Sequence, residues 1–149
     1  MKLIDKISSS IISAMKEKNV DELESLRAIK SALLLAQTKK GSDGNIQESD
    51  EIKILQKLVK QRKESAEIYK KQSRLELANI EINQSRIIER FLPDQISTED
   101  LDKLITEIIN QTGAHGMKDM GKVMGIASSK LSGKADGKTI SNIVRSKLI

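Results

Sequence analysis

Apolar side chains recur at spacings of three and four residues along almost the whole chain. This spacing is the periodicity of an amphipathic α-helix, whereas a half-buried strand alternates every second residue. The 149 residues include one Phe, one Tyr and no Trp, so the aromatic enrichment typical of β-sheets is missing as well. The sequence therefore predicts an all-α fold, and the chain is long enough to bury a core in one domain or in two small ones.

Breaks in the periodicity predict seven helices in two domains. They are expected, in chain order, over residues 2–18, from about residue 21, from residue 49 or 50, beyond residue 74, from residue 97, over residues 118–130 and from about residue 136. Turn-forming residues at 41–45 are the clearest loop, and Pro93 ends the fourth helix. We therefore predict an N-terminal helical hairpin assembly of about four helices over residues 1–93 and a three-helix C-terminal module over residues 94–149.

Helix ends have their own signals in the sequence. Ser49 or Asp50 is a suitable N-cap for the third helix, and Ser97 with Asp100 forms a capping-box variant at the start of the fifth. Gly113 is expected to end the fifth helix, and Asp136 to cap the seventh.

The pattern also predicts which side chains are buried. Met15 continues the apolar face of the first helix, and Ile80 belongs to that of the fourth. Residues 32–36, read as ALLLA, are apolar all round and should be enclosed by neighbouring helices. Gln84 stands where the next core residue belongs; we favour a half-exposed side chain, and the alternative is a buried hydrogen bond that fixes helix register.

Positive charge is concentrated near the C-terminus. From Gly113 onward there are seven basic residues and two acidic ones, and the preceding part carries 19 of each, so the net charge of +5 lies entirely in the last quarter. Such a surface favours an anionic partner. Near-absence of aromatics counts against base stacking and favours the backbone of a folded RNA. The candidate contacts are Lys118, Lys122, Lys130, Lys134, Lys138 and Arg145.

Four glycines lie among these cations and could allow close approach of another backbone. Gly121 and Gly125 stand four residues apart on one predicted helix, which favours close helix packing, with approach of a nucleic-acid backbone as the alternative. Residues 133–139, which contain Gly133 and Gly137, resemble a phosphate-binding P-loop. The motif needs four residues between its glycines and this segment has three, so we do not expect nucleotide hydrolysis.

The composition excludes several kinds of chemistry. Without cysteine there is no disulfide, thiolate metal site or thiol nucleophile. His115 is the sole histidine, between two glycines, and we interpret it as a solvated loop residue. We expect no catalytic residues, metal or cofactor. The basic run at residues 57–63 is explained by intrahelical pairing with Glu64 and Glu67. No apolar run is long enough to span a membrane, and we expect a cytoplasmic protein.

Several motifs together resemble one family. The segments LQKLVKQRKESAEIYKKQSRLELANIE, ERFLPDQIS and MKDMGKVMGIASSKLSGKADGKTISNIV resemble the YqeY-like family of small bacterial proteins over nearly the whole chain. That family is related to the C-terminal tail of the GatB subunit of tRNA-dependent amidotransferases. Phe91 and Lys134 depart from the expected Tyr and Arg; the second change keeps the charge but loses the bidentate fork.

The resemblance implies a noncatalytic accessory protein that binds tRNA through its basic C-terminal end. A partner is then expected among amidotransferases or aminoacyl-tRNA synthetases. Two other functions remain open. One is a component of a carbon–nitrogen ligase that uses glutamine as amide donor and is active only with other subunits. The other is an adaptor whose helices present a groove to a partner helix.

Overall fold

The protein is described by a computed structural model, which covers residues 2–39 and 44–149. This part of the chain contains seven α-helices, one 3₁₀ helix and no strand, which confirms the predicted all-α fold. The helices are α1 (Leu3–Glu17), α2 (Val20–Gln37), α3 (Glu48–Lys71), α4 (Leu75–Glu89), α5 (Thr98–Thr112), the 3₁₀ helix (Met117–Asp119), α6 (Met120–Lys130) and α7 (Gly137–Leu148). The loop predicted at residues 41–45 lies mostly outside the described residues.

The chain divides into two compact units, Met1–Leu92 and Pro93–Ile149. We call them the N-terminal unit and the C-terminal unit. Each has its own hydrophobic core, because the apolar faces of its helices meet within that unit. Independent folding of the two halves remains a prediction.

In the N-terminal unit, α3 and α4 form a helical hairpin on which α2 packs, and α1 packs on α2. The core is aliphatic and includes Ile7, Leu26, Ile29, Leu33, Leu55, Val59 and Ile88. The hairpin turns over residues 72–74, where the N–H of Arg74 donates to the carbonyl of Tyr69 at 2.8 Å. Ser73 has a left-handed φ of 59° in this turn, a position at which glycine is usually found.

Gln84 is buried, with 8% of its surface exposed, so the favoured half-exposed interpretation is wrong. Its amide nitrogen donates to Oε2 of Glu24 at 3.0 Å, and its Oε1 accepts from Nε of Arg62 at 3.2 Å. The side chain thus links α2, α3 and α4, and the alternative of a buried hydrogen bond is the correct one. Both partners are distant in sequence and could not be seen in the local pattern.

Three other burial predictions in this unit are wrong. Met15 is 54% exposed, and Ala14 faces the core in its place. Leu34 and Leu35 are 43% and 75% exposed, because only the side of α2 that carries Leu33 faces its neighbours. Ile80 is 42% exposed, although Ala78 on the same helix is fully buried.

The basic run of α3 pairs differently from the prediction. Nζ of Lys63 lies 2.7 Å from Oε1 of Glu89 on α4, and Arg62 bonds to Gln84. The expected pairing of this run with Glu64 and Glu67 is therefore wrong. Lys57 and Lys60 remain exposed.

The C-terminal unit packs α5, α6 and α7 around a second aliphatic core. Its buried residues are Leu101, Ile105, Ile108, Val123, Ala127, Leu131, Ile140, Val144 and Leu148. The spacing of three and four on each helix brings these side chains to one face.

Two of the predicted caps of this unit are observed. Oγ of Ser97 accepts from the N–H of Asp100 at 3.1 Å, and Gly113 ends α5 with φ of 67°. Asp136 stands at the N-cap of α7, but its side chain accepts no bond from the helix backbone.

In the N-terminal unit, the predicted cap of the third helix is not observed. Ser49 and Asp50 lie inside α3, whose N-cap is Gln47 without a side-chain bond.

Candidate nucleic-acid interface

The six predicted cations lie on consecutive elements of the C-terminal unit, and all are exposed. Lys118 is on the 3₁₀ helix, Lys122 and Lys130 on α6, Lys134 in the loop before α7, and Lys138 and Arg145 on α7. None makes an ion pair with another residue that the structure describes. An external anion can therefore bind these cations without first breaking an ion pair within the protein.

Four of the seven acidic residues of this unit lie on α5, although Asp119 and Asp136 stand among the cations. Helix α5 carries Glu99, Asp100, Asp102 and Glu107 and one basic residue, Lys103. Nζ of Lys147 on α7 lies 3.0 Å from Oδ1 of Asp102, so this lysine is already paired with α5. The exposed acids make α5 unfavourable for a polyanion, and the 3₁₀ helix, α6 and α7 carry the excess of positive charge.

Gly121 and Gly125 lie on the exposed side of α6. A Cβ atom at either position would meet nothing within 4 Å. Packing against α5 and α7 uses the other side of the helix, through Val123 and Ala127. The favoured interpretation, that these glycines let two helices of this chain pack closely, is therefore wrong.

The two exposed glycines destabilise α6, and packing within the described part of the chain does not explain why they are there. Glycine in a helix is about 0.5–1 kcal/mol less favourable than alanine, because it loses more backbone entropy on folding. Ser128 and Ser129 extend the same exposed side of α6, and Lys122 lies beside both glycines. The result is a helix surface of low relief with a cation next to it, a shape that a nucleic-acid backbone could approach closely.

The start of α7 is a second place suited to an anion. Backbone N–H groups at a helix N-terminus attract negative charge, and Lys134 and Lys138 flank this one. The Asp136 carboxylate accepts only a long bond, 3.5 Å from Oγ1 of Thr139. Gly137, at the first position of the helix, has open space where a Cβ would stand.

The loop before the 3₁₀ helix is held by Asp119. Its Oδ2 accepts from the backbone N–H of His115 at 3.0 Å, and Nδ1 of the imidazole is 3.9 Å away. The His115 side chain is 82% exposed, as the sequence predicted.

One residue of this region had no signal in the sequence. Nε2 of Gln95 donates to the carbonyl oxygens of Pro93 and Gly133, each at 2.7 Å. The N–H of Ile96 donates to the carbonyl of Lys134 at 3.0 Å. The segment that precedes α5 therefore holds the loop that carries Lys134. A lone glutamine before a capping box does not reveal a partner 38 residues away.

Away from this interface, Glu51 on α3 is a carboxyl with a displaced pKa. Burial raises its pKa above the ordinary value; Glu48 adds to the effect, and Lys6 opposes it.

In the described part of the chain, no group of three or more His, Cys, Asp or Glu residues could hold a metal ion. Nor is any described helix long and apolar enough to cross a bilayer.

Fold and surface together define a two-unit α-helical protein whose chain from Gly113 onward carries seven basic residues and two acidic ones. The chain belongs to the YqeY-like family, whose model matches residues 4–148, and the resemblance inferred from the motifs is thereby confirmed.

Its curated relatives fall into two groups. Proteins from Thermococcus gammatolerans and Thermococcus sibiricus, each named as one of the subunits of glutamyl-tRNA(Gln) amidotransferase, are 42% and 40% identical over 57 residues. Those matches cover 36% of this chain and 9% of each relative, so the similarity is to a short part of a much longer protein. They support the implied relation to tRNA-dependent amidotransferases.

The other relatives are closer to this chain in length. Altered inheritance of mitochondria protein 41 from Clavispora lusitaniae is 31% identical over 116 residues, 76% of this chain and 66% of the relative. An uncharacterized protein of Schizosaccharomyces pombe is 30% identical over 91 residues, 61% of this chain and 72% of that protein.

Proposed function

We propose that this protein binds tRNA, or another folded RNA, through backbone phosphates, as an accessory protein without catalysis of its own. The surface consists of the exposed side of α6, the loop that carries Lys134 and the start of α7. The observation that carries the proposal is the pair of exposed glycines on α6. They are unfavourable for the helix, no atom of the described residues beyond the adjacent residues and backbone of α6 lies within 4 Å of where their Cβ atoms would stand, and cations lie beside them.

Two further observations support RNA as the partner. Four of the seven acidic residues of this unit are on α5, whereas α6 and α7 contain none, so a polyanion is attracted to α6 and α7 in preference to α5. Two relatives have names that include glutamyl-tRNA(Gln) amidotransferase. We infer that the amidotransferase, or an aminoacyl-tRNA synthetase, is the protein partner that uses the bound tRNA.

We propose the cytoplasm as the location. The Clavispora lusitaniae relative is named mitochondrial, and the same phosphate contacts would serve an organellar tRNA.

The decisive experiment replaces Gly121 and Gly125 by alanine. Each change should stabilise the protein by about 0.5–1 kcal/mol, because alanine is the better helix former and the added methyl group meets nothing. The same methyl groups should hold an RNA backbone away and weaken binding of folded tRNA about tenfold, equivalent to about 1.4 kcal/mol. Urea unfolding and a tRNA binding isotherm measure the two effects.

Asn110→Ala on the exposed side of α5 is the matched control. It should also stabilise a helix, because alanine has the higher propensity, but should leave tRNA affinity unchanged. Glycine variants that are stabilised and bind tRNA as well as the wild type would contradict the proposal.

The salt dependence of binding tests the cations. If Lys118, Lys122, Lys134 and Lys138 make about four phosphate contacts, the log–log slope should be of the order of −3 to −4. Each Lys→Ala change should lower its magnitude by about one and weaken all sequences similarly. Lys57→Ala/Lys60→Ala is the comparison on the N-terminal unit. Loss of binding in that variant, with an unchanged slope in the Lys118, Lys122 and Lys138 variants, would move the RNA site to α3.

A further inference from the structure

We infer that Gln95 is a positioning residue for the RNA surface: it holds the loop that presents Lys134 and leads into α7. The inference rests on the proposed function for its effect on RNA, while its structural part can be tested without RNA. No cation is contributed by Gln95 itself. Its role is to reduce the number of conformations that the loop must give up when RNA binds.

The loop that joins α6 to α7 is held by a turn within the loop and by bonds from the segment before α5. In the turn, the N–H of Lys134 donates to the carbonyl of Leu131 at 2.8 Å, and Gly133 has a φ of 76°. Leu131 is 2% exposed and anchors the turn in the core. This turn alone fixes the shape of the loop but not its direction relative to α5.

The direction is fixed by the segment before α5. Consecutive carbonyls of the loop, those of Gly133 and Lys134, accept from the Gln95 side chain at 2.7 Å and from the Ile96 backbone at 3.0 Å. Gln95 also donates to the carbonyl of Pro93 at 2.7 Å, so its amide group bridges two parts of the backbone. One side-chain amide therefore ties the start of the unit to the residue before Lys134.

Besides Leu131, the loop has one other side chain packed against the core, that of Ala135. Ser132, Lys134 and Asp136 are exposed, and Asp136 does not cap α7. Without the Gln95 amide, the loop would lose one of the bonds that join it to the segment before α5, and would keep its turn and the bond from Ile96. Lys134 could still reach a phosphate, but the loop would have to be ordered at the moment of binding, which costs affinity.

The test compares Gln95→Met with the wild type in the full chain. Methionine preserves length and lacks the donor, so the two bonds at 2.7 Å are lost with little change in volume. Affinity for folded tRNA should fall about two- to tenfold, the range for ordering one mobile side chain or a short loop on binding. The salt slope should not change, because the number of phosphate contacts is the same.

A double-mutant cycle with Lys134→Ala separates positioning from general damage. If Gln95 acts through Lys134, the loss caused by Gln95→Met should shrink to less than about twofold in the Lys134→Ala background. An equal loss in both backgrounds would overturn the inference. Gln111→Met is the matched control, because the Gln111 amide donates at 3.2 Å to Glu107 within the same helix.

Limited trypsin digestion provides the readout that needs no RNA. Cleavage after Lys134 should be faster in Gln95→Met than in the wild type and in Gln111→Met, at a temperature well below the melting transition of all three proteins. Unchanged cleavage would overturn the inference whether or not RNA binds. Faster cleavage together with no tRNA binding by the wild type would uphold the positioning of the loop and refute the proposed function.

Discussion

Gln84 shows how much one buried polar side chain depends on distant partners. Its amide joins Glu24 of α2 to Arg62 of α3, and all of its polar atoms that are buried have partners. Removing a buried hydrogen-bonding group costs about 1–3 kcal/mol when its partners lose their bonds. We therefore expect this residue to contribute more to stability than its polar character suggests.

Gln84→Ala should lower the free energy of unfolding by about 1–3 kcal/mol, since the bonds to Glu24 and Arg62 are lost and a cavity is left. Gln61→Ala, at an exposed position on α3, should stay within about 0.5 kcal/mol of the wild type. Urea unfolding followed by circular dichroism measures both. A Gln84 variant as stable as the Gln61 variant would mean that water replaces the lost bonds.

At the residue scale, periodicity predicts which side of a helix is buried but not where that side ends. Ile7 and Leu33 are buried as their spacing requires. Met15, Leu34 and Ile80 lie at the margins of their apolar faces, and the crossing angle of the neighbouring helix decides whether such a residue is covered. Gln84 and Gln95 bond to partners more than 20 residues away, which the local sequence pattern cannot predict.

At the scale of helices, the backbone conformation at two helix ends is unfavourable for the residues that occupy them. Lys18 ends α1 and Ser73 follows α3, with φ of 54° and 59°. Side chains other than glycine cost roughly 1 kcal/mol in this left-handed region, because Cβ approaches the backbone. Gly113, with φ of 67°, is the residue type usually found in this conformation at the end of a helix.

Lys18→Gly and Ser73→Gly should each stabilise the protein, by up to about 1 kcal/mol after the greater entropy of glycine in the unfolded chain is counted. Gly113→Ala should destabilise it by about the same amount. Ser13→Gly inside α1 is the control and should destabilise, because the residue there is helical. Thermal melts are sufficient to decide the signs; a destabilised Ser73→Gly would show that its side chain contributes more than the strain costs.

Most helices could be predicted from sequence because their apolar periodicity, turn formers and caps agree. The N-cap of α3 could not, since Gln47 supplies no side-chain bond and Ser49 and Asp50 are the better candidates by residue type. The position of Asp136 could be predicted but its bonding could not, because a carboxylate at an N-cap can rotate toward Thr139.

At the scale of the whole molecule, the presence of two separate cores leads us to predict that the two units fold independently. Residues 93–149 contain the second core, and also Pro93 and Gln95, whose bonds close the loop before α7. A fragment that starts at residue 93 should be helical by circular dichroism and melt cooperatively. A fragment that starts at residue 97 should melt lower because it lacks these bonds. A coil spectrum for both would show that the second core needs the N-terminal unit.

The hairpin of α3 and α4 also has a kinetic consequence. Its contacts join residues close in sequence across a turn of three residues, so closing it costs little chain entropy. Topologies with local contacts fold fast, and this hairpin can form while α1 and α2 are still undocked. In a chevron analysis, Ala66→Gly and Ala78→Gly, at two buried positions of the hairpin, should slow folding, whereas Ile7→Val should mainly speed unfolding. The N-terminal unit would then assemble on its later helices, with the first two added last.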